Sequence, residues 1–331
     1  MSYIKYYAYK KQQQVNGQWV DVYPLETKPD GNPIATYDSS AECNGRIKYK
    51  FTYSGGTVFS GECDNNTTLS SADTRYNPGQ PGYDKMLRAE IFPCVTEIGV
   101  EAFKWCAITA VTIPNSVTSI DTYAFYQCRS LPSITIPNSV TYLGACSFER
   151  CSGLTSIAIP DSVTSAGSSV FIDCMGLTSM HIGSGLTTIP NGFVVDCRNL
   201  SRINSNVNGV CNIPNTVTTI AGDVFNRCAF TSLTIPDSVT SIGPQAFHQC
   251  SALTTVEIGT GIQSIGSDAF HQCVLTTVIM HSTTPPTIGE RVFCNGWQLM
   301  TGVIYVPQGC GNAYKTAQNW SEYADIIQEL S

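Results

Sequence analysis

From residue 98 onward the chain repeats itself, in the form Ile120-Asp-Thr-Tyr-Ala-Phe125-Tyr-Gln-Cys128-Arg-Ser-Leu131-Pro-Ser-Ile134-Thr-Ile136-Pro137-Asn-Ser-Val140. Units begin at Ile98, Ile120, Leu143, Ala166, Ile189, Ile220, Ile242, Ile265 and Ile288, with spacings of 22, 23, 23, 23, 31, 22, 23 and 23 residues. A unit this short buries too little apolar surface to offset its conformational entropy, so it must stack on its neighbours. A period of this kind predicts a solenoid. The fifth unit alone carries an insertion, near residues 205–210.

Within a unit, Leu131, Ile134 and Ile136 have the spacing of a short strand that turns alternate side chains inward, and Pro137 stops it. Successive strands then form one parallel sheet. The Ala-Phe-x-x-Cys stretch sets an aromatic and a thiol three residues apart, which suits a helical or 3₁₀ turn facing the core from the other wall. Two columns result: Phe103, Phe125, Phe148, Phe171, Phe225, Phe247, Phe270 and Phe293, with Phe193 one place early, and Cys106, Cys128, Cys151, Cys174, Cys197, Cys228, Cys250 and Cys273.

The chain has 331 residues, 42% of them apolar but only 13% charged, so Ser, Thr, Asn and Gly must cover its surface. A net charge of −7 without long runs of like charge gives no footprint for nucleic acid or an anionic membrane. No segment has the apolar length of a membrane span, and Met1–Gln14 carry Tyr, Lys and Gln where a secretory signal needs an apolar run, so neither membrane insertion nor general-route export is expected. The 15 cysteines are odd in number and fall mostly in one column, which predicts buried free thiols in place of a disulfide scaffold. Cys43, Cys63, Cys94, Cys146, Cys211, Cys294 and Cys310 lie outside the column, and a Cys43–Cys63 bridge is compatible with their placement.

The motif Ile-Gly-x-x-Ala-Phe-x-x-Cys, as in Ile242, Gly243, Ala246, Phe247 and Cys250, followed by the Leu-Thr-x-Val-x-Ile-Pro strand, resembles the BspA-like leucine-rich repeats of gut and oral bacteria. The resemblance spans about residues 91–330. It implies an α/β repeat solenoid, a right-handed leucine-rich-repeat coil with a parallel concave sheet. It also implies surface adhesion, or a part in a gut-bacterial phage or mobile element, with binding and not chemistry as the task.

Ahead of the repeats the hydrophobic period is two. Residues 6–22 turn at Asn16-Gly17, and residues 46–59 turn at Ser54-Gly55-Gly56, which predicts two β-hairpins. The division expected is a β-rich attachment or capping domain over residues 1–90, a solenoid of about nine units over 91–311, and a capping helix over 312–331. That helix rests on the helical spacing of Ala313, Tyr314, Ala317, Trp320, Tyr323, Ile327 and Leu330, and the family resemblance implies the same ending.

Two His-x-Cys pairs, His248 with Cys250 and His271 with Cys273, carry the donors of a tetrahedral zinc site. Their cysteines belong to the inward column while the histidine slots hold Lys104, Tyr126, Glu149 and Asn226 elsewhere, so the donors fall on opposite sides of one wall. No metal and no cofactor is expected. Nucleophile elbows, His-Glu-x-x-His helices and phosphate-cradling loops are missing from the sequence, and no catalytic residue is assigned.

Solenoids of this type bind on the concave sheet. Its outward positions are mostly Ser and Thr, and His181, Arg202, Asn204, Glu257, Ile279 and Tyr305 interrupt that background with larger groups, making them the candidate ligand-binding residues. The expected partner is a protein or glycan on a cell surface, met outside the producing cell. The alternative is a structural or decorating part of a virion, docked to other virion proteins through the N-terminal domain, and the missing leader favours that setting slightly.

Overall fold

Each unit bends around the core through a strand, a second short strand and a run of tight turns, so the chain winds into a three-walled coil. The structure, a computed structural model, describes residues 86–331 throughout, residues 49–52 and 68–69, and the backbone of strands Ile4–Tyr7, Lys10–Val15, Gln18–Val22, Ile47–Tyr53 and Val58–Glu62. The longest sheet has nine strands: Ser156–Ile159, Ser179–Ile182, Arg202–Ile203, Val210–Asn212, Ser232–Ile235, Thr255–Ile258, Thr277–Met280, Val303–Val306 and Ile327–Glu329. Every pairing in it is parallel.

The Ser and Thr content belongs to these walls. The N–H of Thr178 donates to the Thr155 carbonyl of the unit before it, and its hydroxyl donates to the same oxygen at 3.1 Å. Thr254 repeats the arrangement on Thr231 at 3.1 Å. Along the second wall Ser116, Ser139, Ser162 and Ser238 donate to the carbonyls of Val95, Val117, Val140 and Val217 at 2.6–2.7 Å. A short hydroxyl can bond its neighbour's backbone at little entropic cost, so the chain stacks units with few charges. Units also approach closely: at Gly266 a Cβ would lie 2.4 Å from the Pro244 backbone nitrogen, which explains Gly after Ile in the motif.

The wall bearing Phe and Cys differs from the sequence expectation. It holds consecutive tight turns, not a helical turn. Lys104 N–H bonds Glu101 O at 3.1 Å and Cys106 N–H bonds Phe103 O at 3.1 Å, while Glu101, Phe103 and Trp105 donate across to Thr122, Ala124 and Tyr126 of the next unit. Two residues per unit are left-handed, as at Tyr123 and Gln127 (φ 57° and 58°) or Gln245 and Gln249 (φ 57° and 58°). That conformation sends alternate N–H groups along the axis, where a helix would keep them within one unit.

Both core columns are buried as the period requires. Phe103, Phe125, Phe148 and Phe171 stack at 5.1–5.4 Å, and Phe225, Phe247, Phe270 and Phe293 at 5.1–5.6 Å. Between the two stacks Val194 bonds in register with Val224, and Phe193 meets Phe171 edge-on at 5.4 Å. The column thiols are free, and Cys128, Cys151, Cys174, Cys197, Cys250 and Cys273 donate to the Phe carbonyl of the preceding unit at 3.0–3.2 Å. Cys94 is disulfide-bonded. The Cys43–Cys63 pairing lies outside the described residues.

Two places depart from a uniform sheet. Residues 133–136 form no strand, and the main wall breaks there between Ala110–Thr112 and Ser156–Ile159. Pro132 stands in the slot filled by Thr109 and Thr155 and has no N–H to donate. In the fifth unit the insertion returns the chain to the core and lays Val210–Asn212 into the sheet as an additional strand. Cys211 pairs with Ile203 on one side and with Leu233 on the other.

At the front, Lys10–Val15 pairs antiparallel with both Ile4–Tyr7 and Gln18–Val22. Ile47–Tyr53 pairs antiparallel with Val58–Glu62 and with Met86–Ile91, which continues in parallel to Ala110–Thr112. The second hairpin and the first solenoid unit therefore share one sheet, with Phe51 buried 5.9 Å from Phe103. At the back, only Gly311–Thr316 is α-helical; Ser321–Ile326 is a 3₁₀ turn and Ile327–Glu329 is a strand. The single capping helix expected over 312–331 is thus three short elements, because Ala317 turns extended (ψ 151°) and Asn319 left-handed (φ 65°). Tyr314, Trp320, Tyr323 and Ile327 still close the core.

Candidate functional site

The outward side chains of the main sheet are ordered by strand register. Glu257, Ile279 and Tyr305 occupy directly paired positions on three consecutive strands, with Thr234 on one flank and Gln328 on the other. His281, one residue beyond its strand, joins them: its Nε2 lies 2.7 Å from Glu257 Oε1. Sequence reasoning passed over His281 because it falls just after the last strand position, where side-chain direction is not set by the alternation. All four side chains are half-buried.

His181 and Arg202 lie elsewhere on the same face. His181 is exposed and pairs with Ala158, Arg202 pairs with Ser179, and the Arg202 Nη1 donates to Asn208 Oδ1 at 3.1 Å. The additional strand and Ser232–Ile235 stand between them and the Glu257 group. Asn204 is left-handed (φ 48°), and its side-chain amide takes the place of a peptide group: Oδ1 accepts from Ile182 N–H at 2.9 Å and Nδ2 donates to Ile182 O at 3.1 Å. Its polar atoms are thereby committed to holding the sheet together where the strand ends.

Carboxylates at the wall's turns are also bound to backbone. Asp237 accepts the Thr260 N–H at 2.7 Å and Asp161 the Ser184 N–H at 2.7 Å, bonds that hold both carboxyls below the usual range. His248 and His271 stack at 5.3 Å on the outside of the turn wall, while Cys250 and Cys273 donate inward, so the four zinc-type donors do face opposite ways. Burial, then the charge of His271, lowers the His248 pKa. Among the described residues no group of three or more His, Cys, Asp or Glu is placed to hold a metal ion, and no helix is long and apolar enough to cross a membrane. The most exposed large apolar side chain among them is Trp297, 92% accessible at the tip of a hairpin between Cys294–Asn295 and Gln298–Leu299. The two-residue turn is Gly296-Trp297, with the glycine left-handed (φ 64°).

Stacked short strands, hydroxyl ladders and a Phe-and-Cys turn wall define a class of protein, the leucine-rich-repeat solenoid. The family model described as BspA type leucine rich repeat region matches in 6 copies over residues 96–211 and 206–300, and the chain belongs to that family. No curated protein matches the chain. Among solved structures it is similar to a leucine-rich repeat protein from Bacteroides ovatus, at 18% identity over 86% of this chain and 98% of that one, with a TM-score of 0.45. It is also similar to a leucine rich cell surface protein from Faecalibacterium prausnitzii, at 23% identity over 87% and 99% of the two chains and a TM-score of 0.26. A third is the leucine rich repeat protein of T. pallidum, at 25% identity over 49% and 75%, with a TM-score of 0.34.

Proposed function

We propose that this chain is a non-enzymatic recognition module that binds a protein or glycan partner outside the cell that made it, through the outward face of the main sheet. One observation carries the reading: register aligns Glu257, Ile279 and Tyr305 on adjacent strands, with His281 bonded to Glu257. An acid, an aliphatic and an aromatic in a row on a rigid sheet are what protein and sugar contacts use, with the aromatic as anchor. Arg202 and His181 form a second cluster on the same face.

The test is binding of the labelled full chain to intact epithelial cells and to a glycan array. Glu257→Lys with Tyr305→Ala is expected to weaken binding at least tenfold while circular dichroism and melting stay those of the parent. Should that variant bind like the parent, and deletion of residues 1–46 abolish attachment instead, the solenoid is a spacer and the chain is a structural part of a larger surface or virion assembly.

A further inference from the structure

The sixth unit is one residue short where the turn wall runs into the main sheet. Its neighbours read Cys197-Arg198-Asn199-Leu200 and Cys250-Ser251-Ala252-Leu253, but it reads Cys228-Ala229-Phe230. A groove of about 490 Å³ opens there, lined by Cys228, Ala229, Ser251 and Ala252, with Arg198, Arg227, Gln249 and Gln272 along it. On a chain of net charge −7, this lining holds two cations, which share one carboxylate, Asp196, as counter-charge.

The hydrogen bonds inside the groove run in one direction. Arg227 Nη1 donates to Asp196 Oδ2, behind the groove, at 3.0 Å, and Arg227 Nε donates to Gln249 Oε1. A guanidinium N–H can only donate, so the Gln249 amide must turn its oxygen to Arg227 and its nitrogen onward. That nitrogen donates to Gln272 Oε1 at 2.5 Å, which in turn leaves the Gln272 nitrogen pointing away as a donor. Arg198 spends Nε and Nη2 on Asp196 and keeps Nη1. The side-chain groups left over are the donors Arg198 Nη1, Arg227 Nη2, the second Gln249 hydrogen and the Gln272 nitrogen, with the Ser251 hydroxyl able to donate or accept. Beside them Ala229 and Ala252 offer a small apolar surface.

We infer that this groove is a binding site for a sugar acid, a compact ring bearing a carboxylate and further oxygen acceptors. Asp196 already bridges the two guanidiniums, so the ligand carboxylate takes the N–H groups it leaves, Arg198 Nη1 and Arg227 Nη2, where charge-assisted bonds are strongest. Ring oxygens accept from the two amides, and the ring's C–H face rests on the alanines. The volume is that of a small-molecule site. The groove lies at the corner between walls, off the sheet face, and extends the recognition reading to a second site.

Glucuronate is the probe, titrated into the full chain and followed by saturation-transfer NMR and calorimetry, with glucose and a hexaglutamate peptide alongside. Glucuronate is expected to bind at least tenfold more tightly than either. Gln272→Glu keeps the bond from Gln249 but turns the outward donor into a charged acceptor, and is expected to weaken glucuronate at least tenfold with melting unchanged. Glu257→Lys with Tyr305→Ala leaves it untouched, which separates this site from the sheet. Equal binding of glucose and glucuronate, preference for the peptide, no binding, or a Gln272→Glu variant that binds like the parent each overturns the assignment.

Discussion

A column thiol of this wall sits against Phe rings with its proton on a carbonyl oxygen, and that setting decides how it ionises. Burial pushes Cys106 and Cys151 up to about 12 from a usual value of 9.0, and Cys128, Cys197 and Cys228 well above it. Below pH 9 a thiol is neutral in both folded and unfolded chains, and the stability its burial provides is intact. Above that the unfolded chain releases protons that the folded chain keeps, so stability falls with rising pH by about 1.4 kcal/mol per unit for each such thiol, until the folded value is passed. The urea midpoint is therefore expected to hold up to about pH 9 and drop steeply to pH 11, and less steeply in Cys106→Ala with Cys151→Ala. A flat midpoint would mean the thiols are solvated. Iodoacetamide at pH 8 is expected to label the column only in urea. The Phe and Cys columns were legible because they recur at one spacing, whereas the left-handed residues beside them were not: Tyr123, Arg150, Asp173 and Gln245 share a backbone shape but no chemistry. The Glu257–His281 pair escaped because register sets Glu257 opposite Ile279, and His281 lies two residues further on, past the end of the strand.

Elements here are held by what the adjacent element offers, and both the break at Pro132 and the terminal cap follow from that. Restoring the missing donor with Pro132→Thr supplies an N–H and a hydroxyl aimed at Thr109 O, as Thr155 supplies them to Pro132 O at 3.1 and 3.2 Å. The variant is expected to gain about 0.5–1.5 kcal/mol in denaturant unfolding and to slow amide exchange across residues 109–136; an unchanged stability would show that the proline's rigidity compensates. At the far end the cap replaces the donors and acceptors of a unit that is not there. Asn319 Nδ2 donates to Ile288 O at 2.7 Å, where the next glycine N–H would bond, and Trp320 Nε1 donates to Pro286 O at 2.8 Å, where the next threonine would, as Thr240 does to Thr218 O. Tyr323 Oη accepts the Phe293 N–H at 3.2 Å, standing in for a neighbour's carbonyl. Trp320→Phe keeps the packing but strands a buried carbonyl, at an expected loss of about 1–3 kcal/mol in denaturant unfolding, and a loss under 0.5 kcal/mol would argue for water at that oxygen. The apolar spacing announced a cap, yet its breakdown into helix, 3₁₀ turn and strand was hidden because burial of Tyr314, Trp320 and Tyr323 suits either arrangement.

Across the whole molecule the stacked parallel sheet was written in the period, but the insertion was not, nor the further level that Thr68–Leu69 adds ahead of Glu97–Ile98. Cys211-Asn212-Ile213-Pro214 looks like the ordinary end of a strand, so residues 205–210 seemed to hang outside it. Removing residues 205–212 cuts the fifth spacing from 31 to 23 and rebuilds Leu200-x-x-Ile203-x-Ile213-Pro214, the standard unit. The deletion is expected to fold and unfold cooperatively, with a changed small-angle scattering profile; an identical profile would show that the strand leaves the axis unaltered. The change follows from unequal path lengths. On the turn wall the fifth and sixth units are direct neighbours, Val194 N–H on Val224 O at 2.8 Å, while on the sheet they are held apart by one more strand, about 4.8 Å. One side of the tube is thus longer than the other at a single level, as in an arch with an extra voussoir. That inequality is expected to kink the tube away from the sheet there, turning His181 and Arg202 in a different direction from Glu257, Ile279 and Tyr305. A rigid flat partner can seat on one of these facets at a time, so simultaneous use of both calls for a flexible or two-part ligand, whose grip would then depend on the angle that eight residues set.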